Sequence, residues 1–365
     1  MTTILRASDS AEFLGLVPAL AGFTPSQSLV LLPFHGTRAY GAMRLDLPRD
    51  DVSPEEYADA AVGLVAKVDG ADAIAVVVYA DDAPSRTPDG LVLPHTVQVE
   101  ELLGCADDAG LRIVDALCVT PQGWSSYLED DPELAPLSAP DPLAADQHAG
   151  ADLPSADLVE KERVGRALHD IGALLEREEH SRLDGSENPQ AIAALVMLED
   201  IPEFFETLLD APGEQPPFAT AALLWCLDRP LLRDVALVQW ATTHAAGIRT
   251  LEAQCAYAES GSSIPDDLGG VFLGHGPFPD AERLRLALSV VRLAAARAPR
   301  ALRPAPLTIA AWLSWALGHS THAEHYLRLV REIDPEYGLA VLLSTIVGAG
   351  MLPEWAFRRG PGRER

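Results

Sequence analysis

The chain has 365 residues, 54 of them acidic against 27 basic, with 48% hydrophobic and 6% aromatic side chains. This length leaves room for two domains; the apolar share excludes a disordered acidic tail, and four scattered cysteines exclude a disulfide scaffold. A net charge of −27 argues against nucleic acid and anionic membranes as partners, because affinity for phosphates comes from clustered Lys and Arg.

In chain order, the apolar stretch Phe13 to Phe23 follows Asp9 and Glu12 and lacks a basic start, so it reads as a short core helix and not as a leader. Ser28 to Phe34 and Ala39 to Leu47 read as two strands, joined as an antiparallel hairpin by the turn residues His35, Gly36 and Thr37. Ser53 as N-cap and Pro54 at the first helical position open a helix to Val68. A strand Ala73 to Ala80, a helix Val97 to Ala109 and a strand Leu111 to Thr120 follow. The expected order is ββαβαβ in a mixed sheet, with the last three strands mutually parallel: an α/β domain over residues 1–128.

Residues 129–155, rich in Asp, Pro and Ala, show neither helical nor strand periodicity and read as an acidic linker or loop. Residues 1–155 hold 25 acidic against 7 basic side chains, which sets this half apart from the rest. Residues 156–357 read as an all-helical domain, with 358–365 as a disordered tail. Leu158 to Glu179, Gln190 to Leu198, Pro217 to Leu227, Leu231 to His244, Asp280 to Arg297, Leu307 to Leu317 and Thr321 to Ile333 repeat apolar residues three and four apart. Leu307, Ala311, Gly318, Ala323, Leu327, Asp334 and Pro335 fall at the spacings of a tetratricopeptide-like helical hairpin, in a single copy.

The uncharged run Tyr337 to Pro353 is too short and too rich in glycine to span a bilayer. Trp225, Trp240, Trp312, Trp315 and Trp355 read as core, the isolated Cys105, Cys118, Cys226 and Cys255 as small buried residues of a reducing cytoplasm, and His319, His322 and His325 as exposed polar residues.

Parallel strands after helical crossovers offer a site at their carboxyl edge. That edge gathers Arg44 and Asp46 at the end of the second strand, Asp81 and Asp82 after the third, and Gln122 and Trp124 after the fourth. Ser28 reaches it from the antiparallel first strand. Arg44 and Asp46, two apart on a strand, share a face and are expected to pair. Asp46, Asp81 and Asp82 are the candidate ligands for a cation such as Mg²⁺, or for a cationic group. Ser28 lacks the Gly-x-Ser-x-Gly elbow of an activated nucleophile, and with Lys67 and Lys161 as the only lysines there is no P-loop.

Val17, Pro18, Leu20, Gly22, Phe23, Pro25, Ser28, Leu29 and Val30 form a V-P-x-L-x-G-F-x-P-x-x-S-L-V signature. Together with Arg44 to Pro48, Gly123, Trp124, Ser126, Tyr127, Arg233, Asp234, Trp312, Trp315 and Asp334 to Tyr337, it resembles an actinobacterial family of domains of unknown function. The 25 Arg against 2 Lys suit such a genome. The family pattern often places cysteines after the Trp and Tyr; here Leu128, Glu129, Asp130 and Asp131 follow Tyr127. The resemblance adds Tyr127 to the candidate ligand-binding residues and carries no activity.

The expected function is that of a cytoplasmic binding or regulatory module without catalysis, taking a small ligand or a protein partner. The alternative is a divalent-metal-assisted enzyme acting on a small phosphorylated or nucleotide-like substrate at the carboxyl edge.

Overall fold

The computed structural model describes residues 7–49, 51–88, 90–137, 147–176 and 187–358. The chain divides into two compact units, residues 1–149 and 150–365, so the boundary falls inside the expected 129–155 linker. That segment is not all linker: Ala135 forms a two-bond bridge with Trp124, and Gln147 is buried. The expected tail, apart from Arg358, lies outside the described residues.

The first unit starts with α1 (Ser10–Ala21), capped by Asp9 and ended by Gly22 in the left-handed region. Then come β1 (Ser28–His35), β2 (Arg38–Ala39), β3 (Met43–Asp46), α2 (Pro54–Ala66), β4 (Ala73–Tyr79), the small hairpin β5 (Ser85–Thr87) and β6 (Gly90–Val92), α3 (Thr96–Asp108), β7 (Arg112–Thr120) and β8 (Gly123–Ser126). The mixed sheet runs β2-β1-β4-β7-β8, with β3 beside β2 on the same edge of β1. β1 is antiparallel to β3 and to β4, while β4 and β7 are parallel. Thus β3, β4 and β7 share a direction as expected.

The ββαβαβ order is too simple. Its second run splits at Pro33: the Pro33 carbonyl accepts from Tyr40 N–H, so the missing proline N–H faces that same edge and the ladder cannot run through. The hairpin β5–β6 and the edge strand β8 are additions.

Strand alternation sorts the sheet into two faces. Leu29, Leu31, Ile74, Val76, Val78 and Ala116 pack against Ala61, Val65, Val99 and Leu102 of α2 and α3. Val30, Leu32, Ala75, Val77, Tyr79 and Leu117 pack on the other side with Val17, Phe13 and Leu14 of α1. A bulge between the β4 and β7 registers turns Asp115 to the α1 face, where it accepts from Ser10 Oγ at 2.7 Å.

The second unit is helical: α4 (Leu158–Leu175), α5 (Pro189–Met197), α6 (Ile201–Asp210), α7 (Pro217–Leu227), α8 (Pro230–Ala241), α9 (His244–Ser260), α10 (Asp266–Gly269), α11 (Ala281–Arg297), α12 (Pro304–Ala316), α13 (Ser320–Arg331) and α14 (Gly338–Gly348). Aspartate or asparagine caps α4, α5, α6 and α11. α12, buried along its whole length, lies at the centre and packs on α11 and α13.

Tryptophans tie this core to backbone, each indole N–H finding a carbonyl. Trp240 donates to Phe205, Trp312 to Phe272, Trp315 to Met351 and Trp355 to Ala316. Trp225 departs from the core expectation: it is half-buried, with the Arg229 guanidinium 3.8 Å over its ring. Among the described residues no helix is long and apolar enough to cross a membrane.

Candidate functional site

The strand registers align one residue from each of five neighbouring strands. Asp46 of β3 pairs with Ser28 of β1, Ser28 with Tyr79 of β4, Tyr79 with Val119 of β7, and Val119 with Trp124 of β8. Residues paired across a ladder share a face, so these five form one row along the carboxyl edge, on the α1 side. Ser28, Asp46 and Trp124, expected at this edge, are therefore brought into line. Tyr79 and Val119 join them.

Ser28 is fully buried. Its hydroxyl donates to the Ser26 carbonyl at 2.6 Å and accepts from Arg44 Nε at 2.7 Å. Arg44 also donates through Nη2 to Asp46 Oδ1 at 2.6 Å, making the expected ion pair, with side chains 17% and 83% exposed. The chain of bonds extends both ways: Tyr57 donates to the Asp46 carbonyl at 2.8 Å, and Ser26 N–H donates to Gln147 Oε1 at 3.4 Å. With its proton directed at a carbonyl and no general base bonded to it among the described residues, the Ser28 hydroxyl is a structural link.

Tyr79 is the residue that sequence reading missed. It is 9% exposed, and burial pushes its hydroxyl well above the usual phenol range, so the group stays protonated. Among the described residues it has no hydrogen-bond partner, yet it is not one of the sealed orphan atoms, unlike the Tyr326 hydroxyl. Trp124 is half-buried and packs on the α1 face.

The remaining expected residues divide. Asp81, Asp82 and Gln122 are exposed in the turns that follow β4 and β7. Tyr127 lies on the opposite face, packed with the α2 and α3 core, and donates to the Pro94 carbonyl at 2.5 Å. Three positions separate it from Trp124, and odd spacing on a strand changes face. Tyr127 is an anchor for the turn before α3.

The carboxylates do not form a chelating set. Among the described residues no three His, Cys, Asp or Glu side chains converge on a metal position. β1 separates Asp46 from β4, and two strand spacings are roughly 10 Å; Mg²⁺ needs its oxygens about 2.1 Å away. The histidines of α13 make no such set either. Cys118 and Cys226 are buried as expected, Cys105 is partly so, and Cys255 is exposed.

Backbone strain falls on the same edge. Among the described residues two non-glycines have positive φ: Gln27, at 45°, immediately before β1, and His95, at 59°, immediately before α3. Burial holds the His95 imidazole below its usual pKa, against the pull of Asp82. Such strain persists only where the surroundings fix it, and it collects at functional sites.

Away from the edge, a cleft of about 390 Å³ in the helical unit is lined by Leu168, Leu224, Trp225 and Arg229. Elsewhere in the helical unit Arg233, Asp234 and Tyr337, three residues of the sequence resemblance, meet in a partly buried network. Arg233 holds Asp234 Oδ1 at 2.9 Å and reaches the Tyr337 hydroxyl at 3.3 Å. Tyr337 N-caps α14, so this network ties α14 to α8.

No curated protein and no solved structure matches the chain. The model of one family, described as Domain of unknown function (DUF4192), matches residues 11–262 and 279–354, a span that takes in the whole row and the Arg233 network. The chain belongs to that family.

Proposed function

We propose that the chain is a binding module that performs no catalysis. Its α/β unit takes a small ligand along the Asp46–Trp124 row, and its helical unit offers a protein-docking surface. The row itself carries this reading: four of its five strands present polar or aromatic groups in register, with Val119 as the apolar fifth, and the serine hydroxyl in it, that of Ser28, is spent on a carbonyl and an arginine. The strained backbone of Gln27, immediately before Ser28 in the row, supports it. The metal-assisted enzyme reading has no comparable support, since it needs the aspartates to share one ion.

The docking role rests on α12 and α13, which pack against each other across Gly318 with the small residues of a tetratricopeptide-like pair. A cytoplasmic setting, an actinobacterial source and partners other than nucleic acid complete the proposal, from the cysteine use, the arginine content and the net charge of −27.

The test is native purification followed by mass spectrometry of the small molecules retained. A molecule held by the wild type and lost from Trp124→Leu is the expected result. Retention equal in the two proteins, or turnover of the retained molecule, overturns the proposal.

A further inference from the structure

We infer that the ligand of this row is an extended organic polycation of the alkyl-polyamine type, bound through its ammonium groups. The inference rests on the binding reading above and adds the chemical class.

Four observations carry it. The first 155 residues hold 25 acidic against 7 basic side chains, so the field over this unit draws cations. Asp46, Asp81 and Asp82 are exposed at the row's edge, and Asp46 gives Arg44 only Oδ1, leaving Oδ2 for a ligand. Tyr79 is 9% exposed, and its hydroxyl, bonded to no described residue, is not among the sealed buried atoms and so is open to a ligand. It is fit to accept an ammonium N–H. Trp124, two strands away on the same face, presents the ring type that best attracts a cation.

Spacing then selects among cations. A point ion fails because the carboxylates are dispersed: Asp46 stands roughly 10 Å from Tyr79 by strand spacing, and Asp81 roughly 7 Å beyond it along the chain. A polyamine carries its charges at intervals of about 5–6 Å, three or four bonded carbons apart at ordinary chain reach, and so meets dispersed carboxylates one after another. Val119, between Tyr79 and Trp124 in the row, offers an apolar floor to the methylene links. A quaternary ammonium has no N–H for Tyr79 and is the poorer ligand.

The experiment is isothermal titration of the full chain with spermidine at low salt, beside Trp124→Leu and Tyr79→Phe, neither of which alters charge. One-to-one binding is expected, weakened about fivefold to tenfold by each substitution, with Mg²⁺ at equal ionic strength failing to displace it. No binding overturns the inference. So does binding unchanged in both variants, which marks diffuse counterion uptake by an acidic protein, and so does preference for an arginine-rich peptide over spermidine. Tyr79→Phe keeps the ring that packs in the core, so it decides the matter should Trp124→Leu fail to fold. If purification yields a Trp124-dependent molecule that is not a cation, the polyamine class falls while the binding site stands.

Discussion

At Gly274 one absent methyl group decides how the C-terminal segment closes on the helical core. The residue has φ +81°, and a Cβ there would lie 2.6 Å from Pro353 Cα and 2.8 Å from Trp315 Cη2. Its carbonyl accepts from Glu354 N–H at 2.9 Å, and the next residue, His275, meets the Glu354 carboxylate at 2.6 Å. Gly261 has a similar φ of +72° with nothing within 4 Å. Gly261→Ala therefore carries only the left-handed backbone cost of about 1 kcal/mol. Gly274→Ala adds overpacking against backbone and a rigid indole, for a total of about 2–4 kcal/mol. Urea unfolding followed by tryptophan fluorescence measures both; equal losses would contradict the steric account. The same scale shows why the row was half legible. Ser28, Arg44 and Asp46 stand out as polar residues at strand ends, whereas Tyr79 hides in the apolar run Ala73 to Ala80 and emerges only when register is known. Tyr127 enters through the family resemblance alone, and parity places it on the other face.

Between elements, burial is shared out unevenly, and legibility follows it. All 13 residues of α12 are buried, and α7 and α11 match their expected spans because Pro217 opens the first at its first helical position and Asp280 caps the second. α9 buries only Gly247 and Thr250 among its 17 residues, so almost no apolar period marks it. α14 is apolar on every side, with Val341 and Leu342 about half exposed, and a helix without a polar face shows no period either. α6 has a strong apolar face, yet Pro202 and the acids around it, Asp200 and Glu203, disguise an N-terminus as a turn. The uneven burial has a dynamic consequence. Local opening is easiest where few apolar contacts must be broken, so amides in the last two turns of α9 should exchange with deuterium at least tenfold faster than those of α12. Mass spectrometry of exchanged peptides checks this; comparable protection would show that α9 is held by more than its visible packing.

Over the whole molecule, charge acts with opposite sign in the two units. Most of the net charge of −27 belongs to the first 155 residues, with 25 acidic and 7 basic side chains. There Arg44 pairs with Asp46, and with 25 acidic against 7 basic side chains repulsion dominates. In the helical unit, arginines are met by carboxylates across elements: Arg283 grips Glu206, Arg297 holds Glu160 at 2.8 Å, and Arg249 holds Asp267 at 2.8 Å. Glu206 is held below the usual carboxylate range by its bonds from Arg283, the mark of a net attractive contact. Raising salt from about 20 to 300 mM shortens the screening length from about 20 Å to under 10 Å. That relieves repulsion in the α/β unit and weakens exposed attraction in the helical one, where each pair contributes about 0–1 kcal/mol. Amide protection in β1, β4 and β7 should therefore rise with sodium chloride while that of α4 and α11 stays level or falls. Sodium chloride is the right salt, since sulfate strengthens apolar burial everywhere and would mask the contrast. A rise of equal size in both units would mean that the acidity is spread without structural consequence, and it would remove the field on which recognition of a polycation at the row depends.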